Sequence, residues 1–213
     1  MRKLLLLAVV IAGLLVVADL GARAVVESQL AERVELAAEP SGETSARISS
    51  FPFLARLLAS GEVSRVRVAT AGVTVEGLTL ARVAVDLEDV TVDRDRLLSE
   101  RKIVLTDLQR GTAEAEVTQE ELSDRLGVPV TLEDGRARVR VAGQTVTATA
   151  SVTNNRLQLS VSGFSVPSLR IPKLPLVPCA ADAVIVPGRV RLSCSVDEVP
   201  AELVGRPLDE VQL

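Results

Sequence analysis

From Val66 onward, apolar residues recur at every second position. Val66 and Val68 alternate with Arg65 and Arg67; Val73 and Val75, Leu78 and Leu80, Val83, Val85 and Leu87, then Val90 and Val92 continue the pattern. Strict alternation predicts antiparallel strands with one wet face. Gly72, Gly77 and Asp89 mark turns or bulges between or within them. The charged run Asp93–Lys102 reads as a solvated connector, after which Ile103–Leu105 returns to strand. Ala113, Ala115 and Val117 alternate with Glu114 and Glu116. Thr118-Gln-Glu-Glu121 then fits a capping box opening a helix that ends at Gly127. Further strands are predicted at 136–141, 144–152 and 157–161, with turns at Ala142-Gly143 and Asn154-Asn155.

The pattern before Val66 is helical. Arg2 and Lys3 precede an apolar run of 15 residues, Leu4 to Ala18, and Ala22-Arg23-Ala24 has the small-x-small form of a cleavage site. Residues 1–24 therefore read as an export signal or a membrane anchor, with the membrane contacted through residues 4–22 and residues 25–213 forming one extracytoplasmic domain. Cleavage and retention both remain open. Val26, Leu30 and Val34 share a helical face over Ala22–Ala38, and Pro40-Ser-Gly-Glu ends that helix.

Between these regions lies Ile48-Ser-Ser-Phe-Pro-Phe-Leu-Ala-Arg-Leu-Leu-Ala-Ser-Gly61. Pro52 suits the first position of a helix and Gly61 the left-handed residue just past its end. Phe53, Leu54, Leu57 and Leu58 recur at helical spacing, with Phe51 expected to pack from before the turn. A greasy helix beside a sheet with one apolar face can close a core or leave a groove for an apolar ligand.

This stretch resembles a motif of the LmeA-like phospholipid-binding proteins of actinobacterial cell envelopes, with the spacing to Gly61 lengthened by one residue at Ala59-Ser60. The Val/Leu alternation from Val66 to Val92 and the late Phe164-Ser-Val-Pro167 are similar to that family as well. The resemblance implies an α+β fold in which a curved antiparallel sheet wraps one or two helices, of the TULIP-like lipid-binding kind. It also implies non-enzymatic binding of phospholipid, of the phosphatidylinositol type, in support of envelope or lipoglycan assembly. On that reading Phe51, Phe53, Leu54, Leu57, Leu58, Val66, Val68 and Phe164 would line the acyl-chain site, and Arg56, Arg65 and Arg67 are the candidates for a phosphate headgroup.

Composition narrows the alternatives. Hydrophobic residues make up 47% of the 213 and aromatic ones only 1%, so the apolar surface is aliphatic. With no His, the commonest general base and metal ligand is missing. The three lysines, Lys3, Lys102 and Lys173, form no Ser-x-x-Lys arrangement, and neither a Gly-x-Ser-x-Gly elbow nor a phosphate-binding Gly-rich loop is present. Asp93-x-Asp95 and Glu133-Asp134 read as solvated carboxylates. No metal site and no cofactor are expected, and a net charge of −4 without a basic block argues against nucleic acid as a partner.

Near the end, 183–186 and 190–196 form a predicted hairpin around Pro187-Gly188, preceded by the Pro- and Leu-rich loop Phe164–Pro178. The loop covers the core or touches lipid. Cys179 and Cys194 are the only cysteines, and they fall close to facing positions, which outside the cytoplasm implies a disulfide. Two further functions compete with lipid binding: an anchored β domain that binds another envelope protein, and an envelope hydrolase.

Overall fold

The computed structural model describes residues 2–38, 40–141, 143–154, 156–161, 168–171, 179, 181–201 and 203–207. In chain order the elements are α1 (Arg2–Ala38), β1 (Thr44–Ile48), α2 (Phe53–Ser60), β2 (Glu62–Val75), β3 (Leu78–Val92), α3 (Arg94–Glu100) and β4 (Leu105–Thr118). They continue with α4 (Gln119–Leu126), β5 (Val130–Glu133), β6 (Arg136–Val141), β7 (Gln144–Thr153), β8 (Arg156–Val161), β9 (Leu169–Arg170), β10 (Asp182–Val186) and β11 (Arg189–Val196). The fold is α+β with two antiparallel sheets. The first has the order β1-β2-β3-β4-β11-β10 and the second β5-β6-β7-β8-β9.

The first sheet is built on three long strands of 14, 15 and 14 residues. Each is about 46–50 Å long at ~3.3 Å per residue. Gly72 and Asp89 lie inside β2 and β3 with positive φ, but the register runs through both unchanged and the one shift in these ladders falls between Thr91 and Val92; Glu76 and Gly77, both with positive φ, form the tight turn between β2 and β3.

This long sheet is packed at both ends. At one end Leu78, Leu80, Val117, Val190 and Ile185 join α4 residues Leu122 and Leu126 and second-sheet residues such as Val139, Ala148 and Leu157 in one buried core. At the other, Ile48 and Val63 surround Phe53 of α2, with Leu54, Leu57 and Val66 packed against them. Val90, Val92, Leu105 and Leu108 form a neighbouring cluster supported by Leu57, Leu87 and Leu97.

Several expectations are corrected. The charged connector after Asp93 contains helix α3, because the Asp93 carboxylate accepts the Arg96 amide at 3.1 Å and caps it. The helical stretch expected over residues 22–38 is the second half of α1, which runs through Asp19 without a break. Phe51 does not pack from before the turn but is 65% exposed, since Phe53 takes the inward place across Pro52. Leu58, on the outer side of α2, is also exposed. Pro52 precedes the helix as its N-cap residue rather than opening its first turn. Strands β1, β5 and β9 add to the expected set; they hold 5, 4 and 2 residues, too few for alternation to show.

Candidate functional site

Between the packed ends, the inward face of the first sheet is a floor of small and aliphatic side chains. The register aligns Ala46, Val68, Val85, Ala113 and Cys194 in one row across β1, β2, β3, β4 and β11. One side of this row is bounded by Ile48, Val66, Leu87, Gly111 and Val196. The other is bounded by Thr44, Thr70, Val83, Ala115 and Leu192. Val66 and Leu87 pack on the α2 end and Val83 on the second-sheet end. Val68 and Val85 are half-buried, and among the described residues neither joins any of the three buried clusters. The row crosses five strands, about 19 Å at ~4.8 Å per strand spacing. That is the length scale of an extended acyl chain.

Two features bound the ends of this trough. Cys194 lies on the same face as Ala113 and is joined to Cys179, so the disulfide holds Cys179 at the β11 end of the row. At the β1 end the exposed sheet edge is covered by α1. The Glu27 carboxylate accepts the edge amide of Ile48 at 2.6 Å, and Arg23 holds Glu27 at 3.0 Å. A helix that takes up edge N–H groups also blocks pairing with another strand.

Helix α2 is fixed by the same device. Its first amides have no side-chain acceptor of their own, because proline stands at the cap. Asp19, 5% exposed, supplies one from α1: its two carboxylate oxygens accept the amides of Phe53 at 3.0 Å and Leu54 at 2.6 Å. At the other end Gly61 adopts φ 76°, and a β-carbon there would lie 2.3 Å from the Val92 carbonyl oxygen.

The three arginines considered for a headgroup are engaged elsewhere. Arg65 and Arg67 alternate with Val66 and Val68 and so project from the opposite face. Arg65 grips Asp86 with two bonds of 2.7 Å and reaches Glu88 at 3.0 Å, and Arg67 shares Asp86. The Arg65 hydrogen bonds hold the Asp86 carboxyl below its usual range, against the opposing effect of burial. Arg56 bonds the Ser64 hydroxyl at 2.6 Å and Glu62 at 3.3 Å. Further along the outer face, burial disfavours ionisation of Glu116, but Arg189 and Arg191 outweigh it and lower its pKa. Of the apolar candidates, Phe53, Leu54, Leu57 and Val66 come together at the α2 end of the trough and Val68 lies in its floor. Phe51 and Leu58 face outward. Phe164 lies outside the described residues. Sequence reasoning missed Val85, Ala113 and Ala46, whose place in the row only the strand register reveals.

The family model described as LmeA-like phospholipid-binding matches residues 17–212. The chain belongs to the LmeA-like phospholipid-binding family. Phospholipid binding is the property for which the family is named, and an aliphatic sheet face with half-buried Val68 and Val85 at its centre suits it. The match begins before Asp19, so the α1 residues that hold α2 and β1 lie within the matched extent of chain. Searches of curated proteins and of solved structures return no match.

Proposed function

We propose that the trough between the two cores holds the acyl part of a phospholipid at the extracytoplasmic face of the plasma membrane. The observation that carries this reading is the half-buried aliphatic row Ala46–Val68–Val85, running on to the buried Ala113 and flanked on both sides by ordinary cores. Each buried methylene contributes about 0.8 kcal/mol, so one chain along the row offsets the costs of ordering and desolvation. The disulfide fits an oxidising compartment outside the cytoplasm. Residues 1–24 then serve as the anchor of a single lipid-binding domain, and an inositol phospholipid, carried for envelope or lipoglycan assembly, is the ligand to test first. Among the described residues no helix is long and apolar enough to cross a membrane.

The test is native mass spectrometry of the full chain, exported and purified in mild detergent, followed by lipid extraction. Phospholipid at near-equal stoichiometry supports the reading and identifies the headgroup. A chain that carries none and takes up none when it is added sinks the reading in favour of a protein-interaction module.

A further inference from the structure

The carboxylate of Asp19 ends an apolar run and grips the helix that follows Phe51. We propose that this couples Phe51 to the membrane surface: the apolar segment of α1 enters the bilayer up to Asp19, and Phe51 is held against the lipid interface as a second contact.

Four observations point the same way. Leu14, Leu15, Val16 and Val17 are all exposed. Successive helical positions are 100° apart, so four in a row cover the whole circumference, which a one-sided protein groove does not match and lipid does. The apolar character runs unbroken from Leu4 to Ala18 behind Arg2 and Lys3, Asp19 is the first charge to interrupt it, and only Leu20-Gly21-Ala22 follow before Arg23. Asp19 is buried by the domain itself, through the amides of Phe53 and Leu54. Phe51, two residues before the first of those amides, is 65% exposed, whereas Phe53 is 2% exposed. The side chain that marks the end of the apolar run therefore also sets where Phe51 stands along the helix axis. An apolar side chain beside an inserted helix gains by entering the headgroup and acyl boundary. In this arrangement α1 stays on the chain, because cleavage after Ala24 would remove the acceptor that caps α2. The inference rests on the lipid reading above only in taking phospholipid as the surrounding medium.

The chain has no Trp or Tyr, so Phe51→Trp gives a single reporter. The full-length variant is mixed with phosphatidylcholine/phosphatidylglycerol vesicles whose acyl chains carry bromine near the headgroup, and vesicle binding is followed by flotation. The expected result is a blue shift and at least two-fold quenching of the introduced tryptophan. Val184→Trp, exposed on the far edge strand β10, is the control and stays unquenched. Adding Asp19→Ala to Phe51→Trp should leave flotation intact and lower the quenching at least two-fold, with Asp19→Asn giving partial recovery. An unquenched Phe51→Trp reporter on floated vesicles overturns the proposal, whether water or a protein partner covers the site. So does quenching that is unaffected by Asp19→Ala. Lipid extraction of the same protein separates the two readings. Lipid retained with the reporter unquenched defeats only the Phe51 contact, and a quenched reporter with no retained lipid defeats only the trough.

Discussion

Val68 and Val85 face each other across β2 and β3 in the middle of the longest sheet, half-buried, outside every buried cluster among the described residues. Their neighbours along the strands, Val66, Leu87 and Val83, each join a core at one end or the other. The pair is thus the centre of an apolar surface that the described chain makes and does not fill.

A large side chain at this centre should compete with lipid without harming the fold. Val85→Trp is expected to lower phospholipid occupancy about ten-fold or more, equivalent to ~1.4 kcal/mol, while thermal stability hardly changes. The same change at Val139, wholly buried in the second-sheet core, should cost about 1–3 kcal/mol through overpacking. Parallel melting and lipid-occupancy measurements on the two variants check the contrast.

Asp19→Ala removes the acceptor of two helix-start amides from a residue 34 positions away from Phe53. Loss of a cap of this kind costs about 0.5–2 kcal/mol. Denaturant unfolding of the full chain should show that loss, with Asp19→Asn restoring part of it.

These outcomes depend on features of different legibility. Helix α2, its stop at Gly61, the hairpin and the Cys179–Cys194 bond follow from local chemistry, and the sequence displays them. The capping box is half realised: Thr118 caps Glu121, but the Glu121 carboxylate turns to the Thr79 amide at 3.1 Å and to Arg125. Helix α3 is hidden because the solvated charges around its Asp93 cap read equally well as a loop. The trough floor is hidden for a stronger reason. Val68 is visible as one apolar position, but its alignment with Ala46, Val85 and Ala113 is a matter of long-range register. The role of Asp19 is equally non-local: within the sequence it looks like a lone charge ending an apolar run.

Acid should weaken the sheet through Asp86. Its folded pKa lies below the unfolded value because of Arg65 and then Arg67. The unfolded state therefore binds more protons, and stability rises with pH across that window. The contribution is complete at neutral pH and is lost as pH falls through the depressed folded value. Denaturation midpoints measured from pH 7 to pH 3 should fall in the wild type, and Asp86→Asn should flatten part of that slope.

The disulfide closes a separation of 15 residues. In the chain-entropy model a loop of that size contributes about 3 kcal/mol. Cys194→Ser should lower the unfolding midpoint accordingly. Because Cys194 lies in the trough row, its loss should also speed release of bound phospholipid, measured as transfer to acceptor vesicles.

Photo-crosslinking addresses the central claim most directly. A phospholipid with a diazirine in its acyl chain is added to the full chain, irradiated, and the adducts are mapped by peptide mass spectrometry. The account predicts adducts on the β2 and β3 segments that carry Val68 and Val85, reduced in Val85→Trp. Adducts confined to α1, with the sheet unlabelled, would contradict it and leave the trough without a lipid.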